Sequence, residues 1–170
     1  MIKQLILMRH AEAEPDFFCE DFDRNLTSHG IEQSKNAGLF LKQHSNKIDK
    51  IICSASRRTH QTYQIVKEFV IFKEFELNKK VYNCSSEFLY ELIKMQNDQY
   101  NTTMIVGHNP SISDLARMLL SNDKKFEGFY PSTIMILNLT QTKSWMDLPN
   151  AIIELKYSYN SSGDYTAKLE

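Results

Sequence analysis

Short apolar runs of strand length alternate with segments of helical periodicity along most of this chain, and that alternation constrains the fold more than any other feature. Residues 4–8 and 50–53 read as buried strands, and residues 104–106 as a third that ends in Gly107. Between them, residues 28–44 carry Ile31, Ala37, Phe40 and Leu41, with Glu32 near the favourable N-terminal end. Residues 57–70 place Tyr63, Val66, Phe69 and Val70 on a helical repeat, and residues 86–96 do the same with Phe88, Leu89, Leu92 and Ile93. A fourth helix is expected to open with Asn109 as N-cap and Pro110 as its first residue, burying Ile112, Leu115, Ala116 and Leu119. This rhythm predicts a mostly parallel sheet with helices on both faces, a three-layer α/β/α sandwich. Near the end it changes. Residues 133–139 and 152–159 read as two strands with no helix between them, an antiparallel edge, with Trp145 anchoring their connection. Residues 160–170 read as a loosely attached tail. With no internal repeat or linker, residues 1–170 are expected to form a single domain.

A chain of 170 residues can bury roughly 70% of its unfolded surface, enough for one substantial core. Apolar residues at 42% and charged residues at 24% exclude disorder and collagen-like repeats. Lysine plus arginine (20) nearly balance aspartate plus glutamate (21), so the basic excess of a nucleic-acid or membrane-surface binder is missing. No apolar run approaches the ~18–20 residues of a membrane span. Residues 1–9 hold only four apolar residues in succession, Leu5 to Met8, too few for a secretory leader. Cys19, Cys53 and Cys84 lack CxxC spacing and read as reduced thiols filling core or near-core space, so a cytoplasmic protein is expected.

Ligands of open α/β sheets bind beyond the carboxyl ends of the strands. Here those ends carry Arg9-His10, then Ser54 to Thr62 with Arg57 and Arg58, then Gly107-His108-Asn109-Pro110. Two histidines and at least two arginines thus converge on one rim beside a helix start, a set suited to phosphate. A neutral imidazole is a competent nucleophile near neutral pH.

Four ordered stretches then carry a resemblance: Leu7-Met8-Arg9-His10-Ala11-Glu12; Asp23-Arg24-Asn25-Leu26-Thr27-Ser28-His29-Gly30; Ser54 with Arg58, Gln61 and Thr62; and Val106-Gly107-His108-Asn109-Pro110. Together they resemble the motifs of the histidine phosphatase superfamily, phosphoglycerate mutase-like in fold. They are most similar to its short bacterial branch, typified by phosphohistidine phosphatases. Asn25 stands where proline is usual. The resemblance implies that His10 attacks phosphorus and that Arg9, Arg58 and His108 hold the phosphoryl oxygens. Asn109 and Arg24 join the substrate-binding set, Arg24 either touching phosphate or bracing the pocket, and Thr27 and Gly30 shape the start of the first helix. No cofactor and no metal are implied, and the expected partner is a phosphohistidine-bearing phosphotransfer protein.

Larger members of that family carry a carboxylic acid after the third strand to protonate the leaving oxygen. Here Asn83 stands near its place, and Glu87 and Glu91 follow on a predicted helix, Glu87 being the candidate proton donor. An alkoxide needs that proton, whereas a phosphorylated imidazole can depart as neutral imidazole. Only residues 63–106 separate the second motif from the last, so no cap is expected and the pocket should be open. Both features favour phosphohistidine. The alternatives are a general phosphomonoesterase using Glu87 or Glu91, and a non-catalytic phosphate or phosphohistidine binder.

Several residues read more simply as structural. Arg57, His29, His44 and His60 suit exposed positions, and a zinc site from His10, His60 and His108 lacks the usual ligand spacing. The acids Glu12, Glu14, Asp16, Glu20, Asp21 and Asp23, interleaved with Phe17, Phe18 and Phe22, form either a solvated loop beside the cationic pocket or a partner-docking loop.

Overall fold

A computed structural model describes all residues except Met1, Asp16, Phe18, 121–125, 162–164 and 168–170, and residues 165–167 by backbone only. The chain runs β1 (Lys3–Arg9), α1 (Ser28–His44), β2 (Lys47–Ser54), α2 (Arg57–Val66), β3 (Ile71–Asn78) and α3 (Ser86–Lys94). It continues through β4 (Thr102–Gly107), α4 (Ser111–Leu119), β5 (Ile134–Thr140), β6 (Ile152–Tyr159) and β7 (Tyr165–Ala167). One sheet holds all seven strands in the order β3-β2-β4-β1-β5-β6-β7.

Alternation of side chains along a strand explains the layers. In the central strand β1, Leu5 and Leu7 point to one face and Ile6 and Met8 to the other, and all four are buried. Ile6 and Met8 pack with Ala37, Phe40 and Leu41 of α1 and Tyr63 and Val66 of α2. Leu5 and Leu7 pack with Leu89 and Ile93 of α3 and Ile112, Leu115 and Leu119 of α4. Each such Leu or Ile contributes about 1.5–3 kcal/mol of burial free energy, so the two cores hold the sheet flat-sided between its helices.

The sandwich predicted from periodicity is therefore present, with a wider antiparallel part. β1, β2, β3 and β4 pair in parallel, while β5 joins β1, β6 joins β5 and β7 joins β6, all antiparallel. β7 lies within the tail expected to be loose; the rest of that tail beyond Ser161 is outside the described residues. Trp145 is fully buried between β5 and β6, and its indole Nε1 donates to the Tyr100 carbonyl at 2.8 Å.

Three helix boundaries differ from expectation, the simplest being α3, which ends at Lys94 and not at residue 96. The helix expected over 57–70 stops at Val66, because Lys67–Phe69 tighten into a 3-10 turn. That turn lays the Phe69 ring against α1 at Gly38, where a Cβ would stand 2.3 Å from the ring. In α4, Pro110 is the residue before the helix and not its first, and Asn109 does not cap it. The Asn109 amide is spent elsewhere, donating to the Phe129 carbonyl and accepting from the Ser113 hydroxyl.

Residues 63–106 form the end of α2, β3, α3 and β4 with short 3-10 turns and hold no inserted cap domain, sending only the turn at Tyr82 and Asn83 to the rim. Strand register then sets the site. Arg9 pairs with Gly107 and Cys53 with Val106, so Arg9-His10, Ser54 and Gly107-His108 leave the sheet at one level.

Candidate active site

An open cavity of about 430 Å³ lies at that rim, lined by Arg9, His10, Arg24, Arg58, His108 and Asn109, with Glu12, Ala13, Asp21, Asn83 and Pro131. All six residues expected to act on phosphate thus share one pocket. Glu87 does not. It is exposed in the first turn of α3, where its own backbone N–H and then Ser85 hold its carboxyl below the usual range. Helix periodicity places Glu87 on α3 but carries no information on which side chains of its first turn reach the pocket. Asn83 does line the pocket, in left-handed backbone (φ 55°) that asparagine tolerates better than most residues.

His10 is buried, and its Nδ1 lies 2.7 Å from the Ala11 carbonyl. A carbonyl oxygen only accepts, so Nδ1 carries the proton and Nε2 keeps its lone pair. That lone pair receives the Arg58 Nε–H at 3.2 Å. Burial, then His108 and the cations Arg58 and Arg9, push the His10 pKa well below its ordinary value, against the Ala11 bond. A neutral imidazole with a pinned Nδ1–H, whose Nε2 lone pair is held only by an Arg58 N–H that an incoming phosphoryl oxygen can take, suits nucleophilic attack.

His108 stands with its ring centroid 5.0 Å from that of His10. Its Nε2 is 2.7 Å from Ser54 Oγ and 3.2 Å from Thr59 Oγ1, while Nδ1 faces Arg58. A guanidinium only donates, so in this structure Nδ1 accepts from Arg58 and Nε2 carries the hydrogen toward Ser54 Oγ. Burial and then Arg58 push the His108 pKa down to about 3.

Arg9 donates through Nη1 to the Phe129 carbonyl at 2.8 Å, and its buried Nε has no hydrogen-bond partner among the described residues. Arg9 lines the cavity beside Arg58, where its charge adds to the field that an anion would meet. Arg58 is 5% exposed, a burial that guanidinium rarely accepts without a partner. That partner is Asp21, whose backbone carbonyl and carboxylate take Arg58 Nη1 and Nη2. Arg24 donates to Asp21 and to the Glu14 carbonyl, so in this structure it braces the acidic loop.

Asp21 and Tyr82 were not foreseen as site residues. Asp21 read as one acid among six, although its place three residues before Arg24, on the spacing of a helical turn, was a usable signal. Tyr82 carried none. The other structural readings are mixed. Arg57 is exposed beside Asp23, and His60 stacks on Tyr63 and Phe75, away from the pocket. His44 is half-buried between Phe40 and Tyr157, and Cys19 is exposed, not near-core. Phe22 packs edge-on against Tyr82, Phe17 is exposed, and Asp16 and Phe18 are outside the described residues.

Two buried neutral histidines couple this site to folding. The unfolded chain protonates both near pH 6.5 while the folded chain does not, so it binds more protons below that pH. Stability is then full above about pH 6.5 and falls on acidification, by up to about 1.4 kcal/mol per pH unit for each histidine. Denaturant unfolding is expected to lose about 2–4 kcal/mol between about pH 7.5 and pH 5, with His108→Gln removing about half of that slope. An unaltered slope in the variant would mean that His108 is already charged when folded.

Residues 5–80 match the histidine phosphatase superfamily (branch 1). A relative, the uncharacterized protein MT1313 of Mycobacterium tuberculosis (strain CDC 1551 / Oshkosh), is 32% identical over 115 residues, covering 67% of this chain and 70% of that protein. Among solved structures, one provisionally described as the phosphohistidine phosphatase SixA of Nakamurella multipartitia is 25% identical with a TM-score of 0.81, covering 94% of this chain and 96% of that one. The protein histidine phosphatase SixA complexed with tungstate shares the fold at 20% identity and a TM-score of 0.73, covering 94% and 97%. So does a mycobacterial glucosyl-3-phosphoglycerate phosphatase, at 13% identity and a TM-score of 0.61, covering 91% and 97%.

Proposed function

The chain belongs to the histidine phosphatase superfamily and is a phosphatase, and on that premise we propose that its substrate is phosphohistidine on a signalling or phosphotransfer protein. The observation that carries the proposal is that, among the described residues, each carboxylate lining the pocket is already hydrogen-bonded. Asn83 stands where larger relatives are expected to hold a carboxylic acid, and the exposed Glu87 is not among the residues that line the pocket. The two carboxylates that line the cavity are both engaged: Glu12 accepts from Thr27 at 2.8 Å, and Asp21 accepts from Arg58, Arg24 and Tyr82.

The proposed reaction has two steps. His10 Nε2 attacks phosphorus in line, the new P–N bond forms and the substrate P–N bond breaks. The leaving electron pair stays on the substrate imidazole, which departs neutral because its other nitrogen carries hydrogen. Arg9 and Arg58 take the charge on the equatorial oxygens, and His108 becomes a further donor when the phosphoryl group draws Arg58 from its Nδ1 and Ser54 Oγ donates to Nε2, leaving the hydrogen on Nδ1. Water then attacks the phosphohistidine of the enzyme in the same cradle, and Nε2 recovers its lone pair as phosphate leaves. The open, uncapped rim would admit a phosphorylated ring projecting from a protein surface, and it offers a small metabolite few surrounding contacts. Unpaired thiols at Cys19, Cys53 and Cys84 suit a reducing cytoplasm.

Comparing kcat/KM for a histidine-phosphorylated phosphotransfer domain with that for an aryl phosphate tests this reading. At least a 100-fold preference for the protein is expected. Faster hydrolysis of small alcohol phosphates would assign a general phosphomonoesterase, and binding without turnover or phosphoenzyme on any substrate would assign a binding module.

A further inference from the structure

The two edges of the Arg58 guanidinium meet different partners. The edge formed by Nε and Nη2 faces His10 and His108, at 3.2 and 3.4 Å. The end formed by Nη1 and Nη2 is taken by Asp21, through its backbone carbonyl and through Oδ2 at 2.9 Å. A guanidinium holds its donors in one rigid plane, so a partner on one edge determines where the other edge points. Asp21 is itself held. The Tyr82 hydroxyl donates to Oδ2 at 2.7 Å, and Arg24 Nη1 donates to Oδ1 at 2.9 Å. The Tyr82 ring meets His108 edge-on at 5.6 Å and carries Phe22 on its other side at 4.9 Å.

The geometry points to Asp21 as a positioning residue that, anchored by Tyr82, holds Arg58 so that its Nε/Nη2 edge is presented to a phosphoryl group at His10. This rests on the phosphatase reading of the site. The opposite use of the same contact is competition, with Asp21 occupying the place of the anion until substrate displaces it. The carboxylate, however, sits on the end of Arg58 away from the histidine-facing edge, and among the described residues that edge hydrogen-bonds the two imidazoles. Burial alone would raise the Asp21 pKa, but the bonds from Tyr82, Arg24 and Arg58 outweigh it and keep the carboxylate ionised.

Charge separates the two uses experimentally. A carboxylate beside the pocket repels a bound dianion, so its removal favours ground-state binding, while loss of Arg58 orientation disfavours the transition state. In Asp21→Asn, nearly equal in volume, kcat on an N-phosphorylated imidazole is expected to fall about 100-fold. Inorganic phosphate, titrated by calorimetry, is expected to bind as tightly as to the wild type or more tightly, at full stoichiometry. Tyr82→Phe is expected to lower kcat several-fold with the same pattern, and it carries the test if Asp21→Asn does not fold. A rise in kcat/KM would establish competition and overturn the inference. So would unchanged kcat in both variants, or a loss of kcat matched by a loss of phosphate-binding sites. If the wild type neither binds phosphate nor becomes phosphorylated, the phosphatase reading fails with it; an active wild type and unaffected variants sink the positioning role alone.

Discussion

His10→Ala is expected to lower turnover by about 10⁵–10⁶-fold and to abolish trapping of labelled phosphate on the protein, while leaving a pocket that still binds oxyanions. The reasoning starts from the imidazole itself. Its Nδ1–H is committed to the Ala11 carbonyl, so the only nucleophilic atom is Nε2, and no neighbour among the described lining residues can replace it. Arg9, Arg58 and His108 stay, and Arg58 Nε loses an acceptor that phosphate can replace. The variant should therefore bind inorganic phosphate within about tenfold of the wild type. Folding should survive, since the Ala11 carbonyl loses one donor at a cost of about 1–3 kcal/mol. Turnover within tenfold of the wild type would place the nucleophile elsewhere and end the covalent mechanism.

Arg58→Ala is the second large effect, with kcat/KM expected to fall about 10³–10⁵-fold, the range seen when an arginine is removed from a phosphoryl-transfer site. Arg58→Lys should recover little of this, because an ammonium is a point charge without the planar fork. The side chain is buried, so the fold must be checked beside the activity. Asp21 keeps Arg24 and Tyr82 as partners, which limits the cost of stranding its carboxylate. Circular dichroism and a melting curve near those of the wild type should accompany the lost activity. Unfolding at ambient temperature would show that Arg58 is chiefly an ion-pair strut for the Asp21–Asp23 turn.

Much of the framework was legible in the chain itself. The continuous apolar run of residues 5–8, buried on both faces, and the 3.6-residue repeat over 28–44 come from local geometry, and α1 and β6 appear with the expected ends. The places that diverged are those where a tertiary contact overrides local pattern. The helix after Ser56 ends early because Phe69 is drawn onto Gly38, and Asn109 fails to cap α4 because its amide reaches Phe129. Residues 165–167 gain a strand because the free edge of β6 offers backbone groups to pair.

The site divides in the same way. Local pattern in the chain is enough to bring the candidate groups together: His10, His108, Arg9 and Arg58 each stand at the end of a parallel strand or the start of the following helix, where strand–helix alternation must deliver them to one rim. How those groups are poised depends on contacts across the fold. The proton sits on Nδ1 of His10 because a carbonyl is its neighbour, and both imidazoles are neutral because they are buried beside guanidinium groups. The Arg58 edge is set by Asp21 and Tyr82, which are separated from it by 37 and 24 residues of chain. Hydrogen-bond direction, tautomer and desolvation depend on which atoms meet across the fold, and no periodicity in the chain carries that information.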